Sequence, residues 1–70
     1  MKRNEFKNAV AAFSENFLSE GHALEVSSRN GYTAIDLYIR GLLEKNLFCG
    51  TLKECQIFFN GLTTAKYNTL

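Results

Sequence analysis

The dipeptide Asn30-Gly31 separates two segments in which apolar and polar residues alternate, and it constrains the fold more than any other feature of the chain. Asn-Gly favours the two-residue turn of a β-hairpin, because both residues tolerate the positive φ angles that this turn requires. The alternation predicts strands over 23–28 and 33–40. A two-residue turn pairs Val26 with Ile35, and directly opposed residues share a face of the sheet. The apolar residues that this register brings to one face are Leu24, Val26, Ile35, Leu37 and Ile39.

A helix over residues 34–46 competes with the second strand of this hairpin. Ile35 and Ile39 would lie on its apolar side together with Leu42 and Leu43, and Thr33 would begin it. We favour the hairpin, because a lone strand over 23–28 would leave its backbone groups without hydrogen-bonding partners.

An amphipathic helix is predicted on each side of the strands. Residues 3–20 carry apolar side chains at helical spacing, and Gly21 is suited to end that helix. The last helix begins after Gly50, where Thr51 and Glu54 form a capping box. The two apolar stripes consist of Phe6, Ala9, Val10, Phe13 and Phe17, and of Leu52, Cys55, Phe58, Phe59 and Leu62.

A third strand over 44–49, which follows a turn at Gly41, completes the order α-β-β-β-α. The predicted fold class is α+β, a three-stranded antiparallel meander with two helices packed on one face. We call the opposite face of the sheet the outer face; it stays open to water or to a partner. Residues 63–70 are expected to fray.

The composition describes a single small globular domain over residues 1–70. The chain is 46% hydrophobic and 21% charged, with a net charge of +1. This composition argues against a strongly basic nucleic-acid-binding protein and against an acidic protein that mimics nucleic acid. A chain of this size buries only about 60% of its unfolded surface, so we expect either a marginally stable monomer or a stabilising dimer interface, and of the two we favour a homodimer. Without an apolar signal segment or a stretch of about 20 apolar residues, we expect a cytoplasmic protein that does not contact membranes.

The residue types that carry catalysis are sparse. His22 is the only histidine, and Cys49 and Cys55 do not have the spacing of a zinc site. The five glycines are isolated, so no phosphate-binding loop is predicted. We therefore expect no enzyme, no metal and no cofactor, with both cysteines as small core residues. A reactive thiol at Cys55, in the first turns of a helix, is the catalytic alternative.

The outer face is the predicted interaction surface. Tyr38 lies there between Asp36 and Arg40, and tyrosine and arginine are enriched at protein interfaces. Phe48 joins this face if its two neighbours in the chain point inward. The register also places Glu25 opposite Asp36, and we expect Arg40 to offset that repulsion diagonally. The predicted interface residues are Asp36, Tyr38, Arg40 and Phe48.

A weak nucleic-acid-binding function is the alternative. The α-β-β-β-α order is similar to that of the double-stranded-RNA-binding domain, a family that grips phosphates with a lysine cluster opening its second helix. Here that helix opens Thr51-Leu52-Lys53-Glu54, so one lysine stands beside a glutamate. The candidate phosphate contacts are Lys2, Arg3, Lys7 and Lys53.

The segment Leu47-Phe48-Cys49-Gly50-Thr51-Leu52-Lys53-Glu54-Cys55 runs from a strand through Gly-Thr-x-x-Glu into a helix. It resembles a segment of small accessory proteins of phages and conjugative elements. The resemblance implies a mobile-element accessory protein that acts by binding, and it assigns no functional residue.

Overall fold

The computed structural model describes residues 2–69, with side chains through residue 65. The elements are α1 (Arg3–Phe17), β1 (His22–Arg29), β2 (Tyr32–Ile39), β3 (Leu42–Gly50) and α2 (Leu52–Thr69). The strands form one antiparallel sheet in the order β1-β2-β3. The predicted α+β class and the α-β-β-β-α order are confirmed.

The β1–β2 hairpin has the predicted register. Val26 lies opposite Ile35, and Arg29 lies opposite Tyr32 across the turn. Asn30 and Gly31 have φ angles of 51° and 83°, as the favoured two-residue hairpin turn requires. The competing prediction of a helix over 34–46 is wrong. β2 pairs with β1 along its whole length and so provides the hydrogen-bonding partners for the backbone of β1, which a helix in its place would not have provided.

A second two-residue turn joins β2 to β3. Arg40 and Gly41 adopt φ angles of 54° and 81°, so Arg40 takes a left-handed conformation that is uncommon outside glycine. The Arg40 N–H donates to the Gly21 carbonyl oxygen over 2.7 Å, which ties this turn to the loop before β1. β3 therefore begins at Leu42, two residues before the predicted start.

Strand β3 is irregular, and its irregularities decide which side chains face the helices. The register with β2 shifts between Ile35 and Asp36 and again between Leu37 and Tyr38. Each shift inserts an extra residue into β3, as β-bulges do. Strict alternation is therefore lost along this strand.

Both helices begin with the capping contacts that their sequences encode. The Lys2 N–H donates to the Glu5 carboxylate over 3.1 Å, and Thr51 and Glu54 bond reciprocally over 2.8 and 3.1 Å. α1 ends at Phe17, three residues before the predicted end, because Leu18 adopts an extended backbone and packs against the core. α2 runs to Thr69, so fraying of 63–70 stays a prediction, and Leu70 lies outside the described residues.

The core lies between the inner face of the sheet and the two helices. Phe59 of α2 sits edge-on to Phe6 and Phe13 of α1, with ring centroids 5.6 and 5.4 Å apart. The buried hydrophobic residues beneath and around these rings are Val10, Leu24, Val26, Ile35 and Cys55. The predicted apolar stripes of both helices thus face the sheet.

Ser14 of α1 covers part of the free edge of β1. Its hydroxyl accepts the Leu24 N–H over 2.9 Å and donates to the Val10 carbonyl oxygen over 3.0 Å. An unpaired N–H on an edge strand is a template for unwanted strand pairing. Ser14 therefore satisfies a backbone group that the sheet leaves open. Along the described helices, no segment is both long enough and apolar enough to span a bilayer.

Candidate functional site

The centre of the outer face is a polar cluster built around Asp36. The side chain of Asp36 has no solvent exposure, although neither helix packs on this face. The Arg29 guanidinium forms an ion pair with it at 2.7 Å, Ser27 donates to it over 3.0 Å, and Asn46 donates over 2.9 Å. Two residues of β1 and one of β3 therefore close over the carboxylate, with Arg29 supplying the positive charge.

The electrostatics of this cluster favour the ionised form of Asp36. Burial by itself raises the pKa of the carboxyl, because a charge in a protein interior loses its hydration. Hydrogen bonds from Asn46, Ser27 and Arg29, together with the positive charge of Arg29, outweigh that effect. The pKa of Asp36 consequently lies below its ordinary value of 3.8.

Arg29 takes the role that we expected of Arg40. Glu25 does lie opposite Asp36, as the register predicts. The charge that offsets this carboxylate pair comes from Arg29, because Arg40 leaves the strand in the β2–β3 turn. Asn46 was not anticipated, since the bulges of β3 bring it opposite Asp36.

The four predicted interface residues occupy four different environments. Tyr38 lies on the outer face and is partly exposed, whereas Asp36 is buried within the polar cluster. Arg40 is exposed in the β2–β3 turn, beside the outer face and not on it. Phe48 lies on the inner face, where it stacks on Phe58 with ring centroids 4.9 Å apart.

The placement of Phe48 corrects the prediction that it joins the outer face. That prediction required Cys49 to point inward, but Cys49 is exposed and lies opposite Ala34, an outer-face residue. The bulge at Leu47 lets two consecutive residues, Leu47 and Phe48, pack against the core. Cys49 is therefore not the core residue that we expected, whereas Cys55 is.

The residues predicted from the sequence for the outer face did not include two exposed apolar residues that lie there. Leu43 lies opposite Tyr38 and is 50% exposed, and Tyr32 lies at the far end of β2 and is 55% exposed. The consecutive leucines after Gly41 are the signal that points to Leu43, since adjacent strand residues face opposite sides. Tyr38 and Leu43 together form what we call the Tyr38–Leu43 patch.

Three of the four basic residues of the nucleic-acid hypothesis belong to the helix starts at one end of the molecule. Arg3 donates to the hydroxyls of Thr33 and Ser28 over 2.8 and 2.7 Å, and Thr33 lies opposite Gly50, just before α2. The starts of α1 and α2, with Lys2, Arg3 and Lys53, are therefore close together. Lys7 lies farther along α1, beside the β1 edge. The carboxylates of Glu5 and Glu54, which accept the capping hydrogen bonds at these helix starts, partly cancel the positive charge there.

Cys55 is enclosed in the core. Its side chain has no solvent exposure, and its thiol donates to the Thr33 carbonyl oxygen over 3.3 Å. Burial raises the pKa of the Cys55 thiol above its ordinary value, which disfavours the nucleophilic thiolate. The surroundings of Cys55 are those of a packing residue.

We expect a thiol reagent at neutral pH to modify Cys49 quickly in the folded protein and Cys55 only after unfolding. The readout is the mass of the protein after timed labelling, with and without denaturant. In a Cys49→Ser control, rapid labelling of the folded chain should disappear. Rapid labelling that survives in this variant would identify Cys55 as a reactive thiol and revive the catalytic hypothesis.

Among the described residues, no three His, Cys, Asp or Glu side chains gather as metal ligands. His22 begins β1, and its Nδ1 lies 3.3 Å from the Glu20 carbonyl oxygen, so it belongs to the sheet end and not to a free loop. No protein family model, curated protein or solved structure matches this chain. The assignment of function therefore depends on the geometry alone.

Proposed function

We propose that this chain is a non-catalytic protein–protein interaction module that assembles as a homodimer through its outer face. The observation that carries the proposal is the Tyr38–Leu43 patch on a sheet face that no described helix covers. A cytoplasmic location and a role as a mobile-element accessory protein belong to the same proposal.

The Tyr38–Leu43 patch has the chemistry of an interface anchor. Tyr38 is partly buried on the outer face, so part of its ring remains accessible to a partner. Leu43 stands directly opposite it with half of its surface exposed. Enriched aromatic residues and fully desolvated apolar contacts supply most of the binding free energy in protein interfaces.

The Asp36 cluster removes one desolvation cost from this face, whereas the exposed Glu25 opposite Asp36 is a carboxylate that a partner has to leave hydrated or pair with a positive charge. An unpaired, hydrated carboxylate in an interface would have to be desolvated when the partner binds, which costs roughly several kcal/mol. Asp36 is already buried and neutralised by Arg29 within the monomer. The centre of the outer face therefore presents an exposed arginine edge without an unpaired buried charge.

Leu43→Ser tests this proposal, and Leu42→Ser is its matched control. The two leucines are consecutive, but Leu43 shares the outer face with Tyr38, whereas Leu42 pairs with Ile39 on the inner side and is 74% exposed. Burial of a leucine contributes about 1.5–3 kcal/mol, so Leu43→Ser is expected to weaken the dimer at least about tenfold. Tyr38→Ala should do the same.

The measurement is the dimer dissociation constant from sedimentation equilibrium of each variant. We expect a larger dimer dissociation constant than that of wild type for Leu43→Ser, and an unchanged one for Leu42→Ser. Equal dissociation constants for wild type and Leu43→Ser would remove the outer face as the interface. A loss only in Leu42→Ser would place the interface on the inner side of the hairpin.

Weak nucleic-acid binding is the second candidate function, because Lys2, Arg3 and Lys53 belong to the starts of two helices, and the Arg3–Thr33 hydrogen bond brings these starts near each other. Binding through such contacts falls steeply with salt, since each phosphate contact releases counterions. Arg3 already bonds two hydroxyl groups, which limits it as a phosphate ligand. We therefore rank this function below the interaction module.

A further inference from the structure

The open edge of β1 is a feature of the sheet that neither the core nor the outer face uses. In the part of the chain that the structure describes, β1 pairs with β2 on one side, and no strand lies on its other side. Arg29 and Tyr32 close a two-residue turn and are therefore a hydrogen-bonded pair, and the Arg40 N–H donates to the Gly21 carbonyl oxygen at the other end of the hairpin. The odd-numbered residues of β1 thus bond to β2, and the even-numbered residues direct their N–H and C=O groups to the open edge.

Val26 and Ser28 are the residues at which this edge is open. The Leu24 N–H, the edge-facing donor before them, is held by the Ser14 hydroxyl. Among the described residues, no helix or loop bonds to the edge-facing N–H and C=O groups of Val26 and Ser28. β1 also has no bulge, whereas the bulges of β3 discourage pairing at the opposite edge of the sheet. This stretch of β1 is therefore the part of the sheet best suited to accept another strand.

α1 leaves space beside this stretch. A cleft of about 450 Å³ runs between α1 and β1, and Ala11 and Val26 are among the residues that line it. Because Ala11 is small, the helix does not close over the edge here as it does at Ser14. An added strand can therefore reach the backbone of Val26 and Ser28.

We propose that a second copy of the chain pairs with this edge, β1 against β1 in antiparallel orientation, with Ser27 opposite Ser27 of the partner copy. In this register, Val26 of each copy lies opposite Ser28 of the other, and each such pair exchanges reciprocal N–H···O=C hydrogen bonds. Every open group at the edge is then used. A register with Val26 opposite Val26 would instead set Ser28 opposite Leu24, whose N–H is already held by Ser14.

The charges of the outer face favour the same register. It sets Glu25 of each copy directly opposite Arg29 of the other, and opposite charges at directly opposed strand positions stabilise a sheet. In the described part of the chain, Glu25 is exposed and forms no ion pair within its own copy. The Arg29 side chain is 43% exposed although it bonds to Asp36, so it remains accessible to a second carboxylate.

The charges on the helix side of the cleft are mixed. Lys7 and Glu15 of α1 line the cleft, and Arg3 donates to the Ser28 hydroxyl. Antiparallel pairing directs Glu15 of each copy toward the basic start of the partner's α1. The two copies of Lys7 are the like charges of this contact, and because Lys7 is exposed, its ammonium group keeps its hydration.

This contact is an addition to the proposed outer-face dimer and does not rest on it. The Tyr38–Leu43 patch lies on β2 and β3, away from the open edge of β1, so one chain can use both contacts. Exposed hydrogen bonds and ion pairs each contribute little to association. We therefore expect edge pairing at higher protein concentrations than those at which the outer-face dimer forms.

Disulfide trapping tests the register. In a Cys49→Ser background, Ser27→Cys sets the introduced thiols at a non-hydrogen-bonded pair, where Cα atoms are about 4.5 Å apart, within the range of a disulfide. Ser28→Cys is the matched control, because its Cα atoms would be about 8–9 Å apart, beyond that range. Under mild oxidation, we expect linked dimer to form at least about tenfold faster in Ser27→Cys. Equal rates, or faster linkage of Ser28→Cys, would overturn the register.

Adding Leu43→Ser to the Ser27→Cys variant separates this contact from the outer-face dimer. Linkage through the β1 edge should persist when the Tyr38–Leu43 patch is disrupted. Linkage that disappears with Leu43→Ser would mean that the thiols meet across stacked outer faces, which overturns the edge pairing and leaves the proposed function standing.

Hydrogen exchange tests the pairing without a substitution on the edge. In concentrated wild-type protein, the Val26 and Ser28 amides should exchange at least about tenfold more slowly than in dilute protein, whereas the Leu24 amide should not change. Glu25→Lys sets a lysine opposite Arg29 and should abolish this concentration dependence, while Glu44→Lys, the same charge change on β3, should preserve it. Exchange of Val26 and Ser28 that is independent of concentration would overturn the proposal.

Discussion

Asp36→Ala is expected to lower the free energy of unfolding by about 2–4 kcal/mol. The substitution removes the acceptor shared by Arg29, Ser27 and Asn46, and of these donors only the Asn46 amide keeps other protein acceptors, the Ile35 and Phe48 carbonyl oxygens. Removal of one partner from a fully buried ion pair costs about 3–5 kcal/mol. We expect a smaller loss here, because the Arg29 side chain is 43% exposed and keeps contact with water. Equilibrium denaturation in urea measures the change.

Glu25→Ala is the matched control for this prediction. Glu25 lies directly opposite Asp36 on the same face, but it is exposed. Its removal relieves the repulsion between two opposed carboxylates, so stability should stay within about 0.5 kcal/mol of wild type or rise. An Asp36→Ala variant as stable as wild type would show that the polar cluster does not hold the outer face together.

The contribution of Asp36 also depends on pH, in a direction that its environment fixes. The pKa of Asp36 in the folded protein lies below 3.8, the ordinary value, which we take for the unfolded chain. The stabilisation is therefore complete above about pH 4–5 and is lost as the pH falls through the lower, folded value. Asp36→Asn cannot ionise, so its stability deficit relative to wild type should shrink on acidification. A deficit that stays constant from neutral to acidic pH would contradict the assigned charge state.

Phe59→Ala is expected to lower the free energy of unfolding by about 3–5 kcal/mol, the range for large aromatic residues removed from a core. Phe59 is buried and contacts Phe6 and Phe13 edge-on, so it joins α2 to α1. Small domains have about 5–15 kcal/mol of stability in total, and a chain of 70 residues stands at the low end. We therefore expect a variant that is largely unfolded or unfolds at much lower denaturant concentration.

Ile57→Ala is the control on the same helix, because Ile57 is 63% exposed. Its midpoint of denaturation should differ little from that of wild type, since exposed substitutions change stability by about 0.5 kcal/mol or less. Near-native unfolding of Phe59→Ala would mean that α2 is not anchored through this aromatic cluster.

Sequence reasoning predicted the β1–β2 hairpin and the helix faces because each has a strong local determinant. Asn30-Gly31 fixes the turn, the turn fixes the register, and alternation in both strands agrees with it. The stripe of α2 from Leu52 to Leu62 follows the helical period and packs as expected. In these segments, local preference and tertiary packing point to the same arrangement.

Strand β3 resisted prediction because its bulges break the period of two. Leu47 and Phe48 are consecutive, yet both pack against the core, and Cys49 consequently turns outward. The burial of Asp36 could not be predicted either, since it depends on side chains from both neighbouring strands that close over its carboxylate. Alternation predicts which face a residue occupies, but not what covers it there. On the outer face, Tyr38 lies where alternation placed it, and Leu43 is an exposed residue that alternation did not assign there.

Light scattering after size exclusion tests the central claim most directly. The wild-type chain would be measured at two salt concentrations, each with and without a mixed nucleic acid. A dimer assembled through the Tyr38–Leu43 patch should persist at both salt concentrations, because apolar burial is not screened by salt. Its measured mass should not change when nucleic acid is added. A monomer that shifts with nucleic acid only at low salt would contradict the claim and favour the basic end formed by Lys2, Arg3 and Lys53.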